Sequence, residues 1–324
     1  MKISTIPKDK EKTTSQRTVF NRTDQFAFLG DGRALMNTFL WKTILNLQGV
    51  IRGVLDVHFA ELAVFNVTDN YDTHDTVDIH FIKRLAEIYG QPQRVYFFQS
   101  RLMEAKRYSF LPLDVSQQML LYSFSKSIKE MDKQCNIIQK NFLEIFNQIE
   151  LPIGTSLNLL EGRKEHSTFY ECWGATVGEI HPFKEDEYYV VKASIDITQI
   201  VDSFIWVNYS PRGFYLPESV APYEYTIINA DLPGLKEQAK KLHRELSKHG
   251  VRVLWDNRDI PYDEKLEFIS MLGINRIIVL DGTTYEGDSE EDFTFKIFFR
   301  STSEVKPQSL KEFLKLFKKS NLMK

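Results

Sequence analysis

The stretch LPESVAPYEYTIINADLPGLKEQAKKLHRELSKHGVRVLWDNRD, Leu216–Asp259, decides how the chain folds. Pro217 and Pro222 lock φ and lack a backbone N–H, so they mark a connection rather than the interior of an element. After them Tyr223–Asn229 reads as a strand, Pro233–His249 as a helix followed by Gly250, and Val251–Trp255 as a second strand. The alternation continues through a helix over Glu264–Leu272, strands over Arg276–Leu280 and Phe293–Phe299, and a last helix over Ser309–Lys319. This βαβαββα order predicts a compact mixed sheet covered by helices. Directly upstream, Tyr209–Pro222 holds three prolines and a glycine and reads as a linker. The expected organisation is a tail over 1–22, a first domain over 23–210 and a second over 216–324.

The first domain reads differently. Arg33–Leu47 carries Leu35, Phe39, Ile44 and Leu47 at helical spacing, and a β-branched stretch follows from Gly53 to Val67. Asp78–Tyr89 reads as a second helix closed by Gly90, and Arg94–Gln99 as a strand. Tyr122–Ile149 is long, charged and periodic, so a helix is expected there. Leu157–Leu160, Thr168–Val177 and Tyr188–Ser194 alternate or run apolar and read as sheet. Helices interleaved with separate strands, without a repeated short βα unit, point to an antiparallel α+β domain. The sequence shows no internal repeat.

With 324 residues, 43% hydrophobic and 26% charged, the chain has enough apolar material for a sizeable core in two domains. A formal net charge of -3 and a pI near 6.2 give no global pull toward nucleic acid, which leaves that role to local basic faces. Two distant cysteines, Cys135 and Cys172, argue against a disulfide framework or a structural zinc site and favour a reducing compartment. No apolar run is long enough to span a bilayer, so no membrane partner is expected. The first 22 residues, polar and rich in Lys, Ser and Thr, read as a disordered tail. The alternative is the remnant of a mitochondrial presequence, against which Asp9 and Glu11 count.

Chemistry-bearing clusters are few. The acidic run from Asp69 to His80 lacks the glycine and the terminal Glu of a calcium loop, so it reads as a turn and helix cap, with Asp75 or Asp78 capping. His166 and His181 read as exposed loop residues flanking a hairpin. Cys172 and Trp173 read as core packing on an alternating strand. Neither a GxxxxGK[ST] nor a GxGxxG phosphate loop occurs, and no metal or cofactor is implied.

Leu216-Pro217 and Ala221-Pro222, then a strand, a helix ending in HGV, and VLWDNRD, resemble the anticodon-binding domain of class II aminoacyl-tRNA synthetases. Ala239, Leu242, Leu246, Gly250, Asp256, Arg258 and Lys265 fall on that pattern, and Gly273-Ile274-Asn275 stands where G-x-P is usual. The likeness spans about 105 residues. Upstream, Arg33–Leu47 resembles the motif 1 helix, Gln93–Phe110 the motif 2 strand-loop-strand, and Ala193–Trp206 occupies the place of motif 3. The fold this implies is α+β: a degenerate class II synthetase-like antiparallel sheet domain, followed by an α/β anticodon-binding-like domain with a mixed five-stranded sheet.

The departures shape the expected function. Active members carry an Arg, one intervening residue and then a Glu in motif 2; here two residues separate Arg101 from Glu104, which puts them on opposite faces if the strand continues. Arg107 is a weak substitute. Gln199 stands where the motif 3 Arg holds the γ-phosphate, and no glycine occurs from Ala193 to Trp206. A core without adenylation activity is therefore expected, and no catalytic residue is assigned. Thr294–Phe317 resembles the ending of the accessory subunits of the mitochondrial DNA polymerase gamma, with Arg300-Ser301 at a turn. That resemblance implies a non-catalytic processivity role in the mitochondrial matrix, with the polymerase catalytic subunit and primer-template or other double-stranded DNA as partners. Trp255, Arg258, Lys265 and Arg300 are the expected partner-binding residues. Lys236, Lys240, Lys241 and Arg244 are the expected nucleic-acid contacts, against a reading as a solvated face interleaved with Glu237 and Glu245. The rivals are a divergent synthetase of the histidyl, glycyl or prolyl group, and a tRNA- or rRNA-binding paralogue.

Overall fold

The computed structural model describes residues 26–28, 34–36, 38–62, 84, 93–102, 115–159, 166–208, 214–270, 272–282 and 293–320. The chain forms two compact units, the first ending at Val207 and the second running from Asn208 to Lys324.

In the first unit β1 (Phe26–Phe28) pairs antiparallel with β2 (Ala34–Met36), and α1 (Thr38–Leu55) follows. The main sheet has seven strands: β3 (Ala60–Glu61), β4 (Gln93–Leu102), β5 (Val115–Ser125), β6 (Gly154–Leu159), β7 (His166–Cys172), β8 (Ala175–Glu185) and β9 (Tyr188–Asp196). Their order is β3-β4-β5-β9-β8-β7-β6, antiparallel except for the short β3–β4 pair. Two further helices, α2 (Ile128–Gln148) and α3 (Ile197–Val207), pack with α1 against one face. The core there is continuous: Leu40, Ile44, Leu47 and Ile51 of α1, Ile138, Phe142, Ile145 and Phe146 of α2, and Ile200 and Phe204 of α3 are all buried. Each such side chain contributes about 1.5–3 kcal/mol by leaving water. Phe142 and Phe146 lie 5.5 and 5.4 Å from the Tyr170 ring. Gly178 lets them approach the bare strand, since a Cβ there would stand 3.3 Å from Phe146 and 3.2 Å from the Ser194 carbonyl oxygen.

Several sequence expectations need correction here. The helix expected over Arg33–Leu47 starts at Thr38 and runs to Leu55, with Ala34–Met36 in a strand. Its buried row continues at helical spacing through Ile51 to Leu55, and this tertiary packing outweighs the poor propensity of Gly49 and Gly53. The described part of the β-branched stretch contributes only the two-residue β3 to the sheet. Tyr122–Ser125 is strand rather than helix, paired with both β4 and β9. The helix begins at Ile128, where the Ser127 Oγ accepts from the Glu130 amide. Trp173 and Gly174, with φ of 52° and 80°, break Thr168–Val177 into two strands. Trp173 is therefore 50% exposed at a turn instead of packed, while Cys172 is buried. His181 lies within β8, not in a loop; its Nδ1 is 2.6 Å from the Ser167 Oγ. The acidic run and the expected helix over Asp78–Tyr89 lie outside the described residues, apart from Arg84, which is helical.

The second unit contains β10 (Tyr225–Asn229), α4 (Leu235–Lys248), β11 (Val253–Trp255), α5 (Tyr262–Ser270), β12 (Arg276–Leu280), β13 (Thr294–Phe299), β14 (Glu304–Ser309) and α6 (Leu310–Ser320). The sheet order is β11-β10-β12-β13-β14, with β10, β11 and β12 parallel and the last two antiparallel. This is the expected mixed five-stranded sheet; β14 is the strand that local pattern did not mark. One face carries Ile227, Val253, Ile278, Phe295 and Ile297, packed with Leu235, Ala239, Leu242 and Leu246 of α4 and Phe313 of α6. The other carries Ile228, Ile277 and Val279 against Ile269 of α5. Phe298, expected beside Ile227 and Ile278, is only half-buried and belongs to that second face, because successive strand residues alternate sides.

Candidate functional site

An open pocket of about 420 Å³ lies at the C-terminal ends of β10 and β11. A parallel strand pair delivers the chain to one edge of the sheet, and α4 and α5 begin there. Asn229, Lys236, Arg258, Pro261, Tyr262 and Lys265 are among its lining residues.

Of the expected partner-binding residues, the fold brings Arg258 and Lys265 together in this pocket, and joins Lys236 to them. Arg258 is held from behind. Its Nε and Nη2 donate to Asp256 at 2.8 and 2.6 Å, and its guanidinium lies 3.9 Å over the Phe268 ring. Burial alone would raise the Asp256 carboxyl. The Arg258 hydrogen bonds and the charges of Arg258 and Lys265 outweigh it and hold the group below its ordinary value. Lys265 is only 6% exposed. Trp255 is half-buried against the core, and its Nε1–H donates to the Asn229 Oδ1 at 3.2 Å, tying the ends of the two strands together.

Arg300 lies at the opposite end of the sheet, because β13 runs antiparallel to β12. Its Nη1 donates to the carbonyls of Phe214 at 2.8 Å and Ile274 at 3.2 Å. Burial pushes its pKa down to about 10. The Arg-Ser turn thus grips the segment after the linker and the β12 approach, with the Ser301 amide on the Asn275 Oδ1.

Lys236, Lys240 and Arg244 recur every fourth residue of α4 and form one exposed row. Glu237, Lys241 and Glu245 form the neighbouring row, and Glu245 pairs with Lys248 at 2.7 Å. The acids that interleave in sequence are therefore set to one side in space.

In the first unit β9 runs directly into α3 within Ala193–Trp206, the segment that the sequence reading set against motif 3. The Asp196 Oδ1 accepts from the Gln199 amide at 2.8 Å and from the Ser116 hydroxyl at 2.9 Å. The Thr198 hydroxyl accepts from the Gln117 amide at 2.8 Å. Gln199 is buried in the first turn of the helix. Arg101 is in register with Ser116 on β4, whereas Glu104 and Arg107 lie outside the described residues. Among the described residues no His, Cys, Asp and Glu group could hold a metal ion, and no helix is long and apolar enough to cross a membrane.

The pocket is the feature that sequence reasoning did not assemble. Its members come from a strand end and two helix starts, NADLPG and DIPY, which only the parallel β10–β11 pairing brings together.

Residues 226–320 match the family model described as the anticodon binding domain. Over the whole chain the fold is similar to solved prolyl-tRNA synthetases. One, from Cryptosporidium parvum with L-proline and AMP, has a TM-score of 0.69 at 14% identity, covering 93% of this chain and 77% of that one. Another, from Giardia lamblia with prolyl-adenylate, has a TM-score of 0.71 at 11% identity, covering 90% and 72%. The Cryptosporidium enzyme with halofuginone and AMPPNP gives 0.69 at 13% identity, covering 92% and 76%. The chain has a class II aminoacyl-tRNA synthetase-like fold. Its C-terminal part is similar to the anticodon binding domain over residues 226–320.

Proposed function

We propose that this chain is a non-catalytic accessory subunit of a mitochondrial DNA polymerase, which binds the catalytic subunit and primer-template DNA and raises processivity. The observation that carries the non-catalytic half is Gln199. Gln199 is buried in the first turn of α3, at its junction with β9, and supplies a neutral amide where the resemblance to adenylating synthetases expects an Arg against the γ-phosphate. An amide forms at most neutral hydrogen bonds to a triphosphate, roughly half as strong as charge-assisted ones and without the bidentate fork. The carboxylate of Asp196 at the same junction further disfavours an anion. In this reading the anticodon-binding domain serves as the partner and nucleic-acid module, through Trp255, Arg258, Lys265 and the basic row of α4. Arg300 supports that module from within. The work takes place in the mitochondrial matrix.

The second reading is a divergent synthetase, or a tRNA- or rRNA-binding paralogue, and it is favoured by the likeness to prolyl-tRNA synthetases across both units. ATP–pyrophosphate exchange with each amino acid separates the two. The accessory-subunit reading expects background exchange throughout; exchange stimulated by one amino acid would replace it with the synthetase. A mild pull-down then distinguishes a polymerase from tRNA or ribosomes.

A further inference from the structure

We propose that the outer edge of β6 takes up an extended segment of a partner protein as an added strand, one with apolar side chains on the α2 side and a basic residue at its C-terminal end. β6 is the last strand of the seven-stranded sheet, and among the described residues only β7 pairs with it. That pairing shows no register shift from Gly154 to Leu159. Strand edges carry unpaired N–H and C=O groups, and they are ordinarily blunted by charge, proline, a bulge or shortness. The other edges of the two main sheets follow that rule: β3 has two residues, β11 has three, and β14 carries Glu304, Lys306 and Pro307. β6, GTSLNL, has none of these devices. Every second residue of it turns both backbone groups outward.

Three features define what this edge accepts. Thr155 and Leu157 stand opposite Tyr170 and Thr168 of β7. The helix α2 covers that part of β7, with Phe142 and Phe146 on the Tyr170 ring and the Gln139 Nε2 donating to the Thr168 Oγ1 at 3.4 Å. It stops short of the edge, since Leu157 is 69% exposed, and Leu143, one turn after Gln139, is exposed as well. An added strand would lay alternate apolar side chains on Leu157 and on this row of α2. The second feature is charge. Gly154 is opposite Glu171, whose Oε1 accepts from the Ser156 hydroxyl at 3.5 Å, and the exposed Glu150 lies just before the strand. An antiparallel newcomer brings its C-terminal end to these acids, where Lys or Arg fits. The third is Trp173, two residues after Glu171. Trp173 and Gly174 form a two-residue hairpin turn with φ of 52° and 80°, a geometry suited to Asn-Gly and strained for a bulky residue. A half-exposed aromatic held under strain is the kind of anchor that contact with a partner selects. A second copy of β6 would bring no basic residue to Glu171, and six residues of edge pairing fall short of the roughly 1,200 Å² that stable dimers bury. A separate extended segment meets both conditions.

The test uses the full chain and a fluorescein-labelled peptide, Val-Thr-Val-Thr-Val-Lys, amidated at its C-terminus and read by fluorescence polarisation. Saturable binding is expected, with the amides of β6 gaining protection from hydrogen exchange. Leu157→Lys, a charge at an exposed edge position where folding is safe, should weaken the peptide about tenfold or more. A peptide with Glu in place of its Lys should bind about two- to fivefold more weakly. Trp173→Asn should weaken binding and yet raise the melting temperature, because Asn-Gly is the favoured pair for this turn. No saturable binding, equal binding by a peptide with two adjacent prolines at its centre, or binding unaffected by either protein variant would overturn the proposal. Sedimentation showing a wild-type dimer and a monomeric Leu157→Lys protein would also overturn it, by assigning the edge to a second copy. The proposal stands apart from the accessory-subunit reading, and none of these measurements involves a polymerase or DNA.

Discussion

Arg300→Ala is expected to loosen the second unit itself rather than to strip a partner from an intact surface. The guanidinium makes two hydrogen bonds to backbone carbonyls, at 2.8 Å to Phe214 and 3.2 Å to Ile274, and both of those residues are fully buried. Truncation removes this donor from both carbonyls. A charge-assisted hydrogen bond contributes about 1.5–3 kcal/mol net, and an orphaned buried acceptor costs about 1–3 kcal/mol. The second contact is longer, and burial of the cation opposes the gain, as its depressed pKa indicates. The lower part of the range therefore applies, about 2–4 kcal/mol. For a unit of this size each kcal/mol moves the midpoint by roughly 4 °C, so a fall of about 8–16 °C is expected. Circular dichroism melts of wild type, Arg300→Ala and Arg300→Lys read it directly. The Lys variant should recover less than half, since an ammonium is more strongly hydrated than a guanidinium and costs more to bury on its flexible stem. A midpoint within about 2 °C of wild type in Arg300→Ala would refute the structural role. Lost partner binding in that stable variant would make Arg300 a surface anchor.

Gly273 has φ +71°, and a Cβ there would stand 2.7 Å from the Phe214 ring and 3.0 Å from Leu216, so Gly273→Ala should cost roughly 2–4 kcal/mol in urea unfolding; a cost below about 0.5 kcal/mol would contradict that geometry. The Asp256 carboxyl is held below its ordinary value, so its contribution is complete above the usual carboxylate range and drains away as pH falls through the folded value. Urea midpoints of wild type should thus fall more steeply in acid than those of Asp256→Asn, and parallel slopes would show that the pair contributes nothing. Replacing Lys236, Lys240 and Arg244 by Gln together should flatten the dependence of log affinity on log salt for duplex DNA by about 2–3. An unchanged slope in a filter-binding titration would remove the α4 row from the nucleic-acid surface.

The second unit was largely legible because its strands are β-branched runs and its helices are bounded by Pro and Gly. Arg276–Leu280 matches its strand without adjustment. β14 escaped because Glu304–Ser309 is charged, carries Pro307 and is mostly exposed. Those are the marks of an edge strand, stabilised by its neighbour β13 rather than by its own propensity. In the first unit, Tyr122–Ser125 does alternate apolar and polar, but four residues are too short a run to separate, by period alone, the end of a strand buried on both faces from the periodic helix that begins three residues later. The S-x-x-E box at Ser127–Glu130 was the local signal for the true helix start. Trp173 reads as core from the strand-like alternation around it, yet its positive φ at a two-residue turn puts it at the surface. Arg300 is the clearest limit: an Arg at a turn near a strand end reads as exposed, and only the fold brings the carbonyls of Phe214 and Ile274 to it.

Primer extension by a mitochondrial polymerase catalytic subunit on a singly primed template, in the presence of a trap that permits one binding event, tests the proposed role most directly. Adding the wild-type chain is expected to lengthen the products of single binding events, with the Lys236, Lys240 and Arg244 triple-Gln variant giving shorter products as salt rises. Product lengths unchanged by saturating amounts of the chain, together with amino-acid-dependent pyrophosphate exchange, would contradict the account and assign the chain to the synthetases.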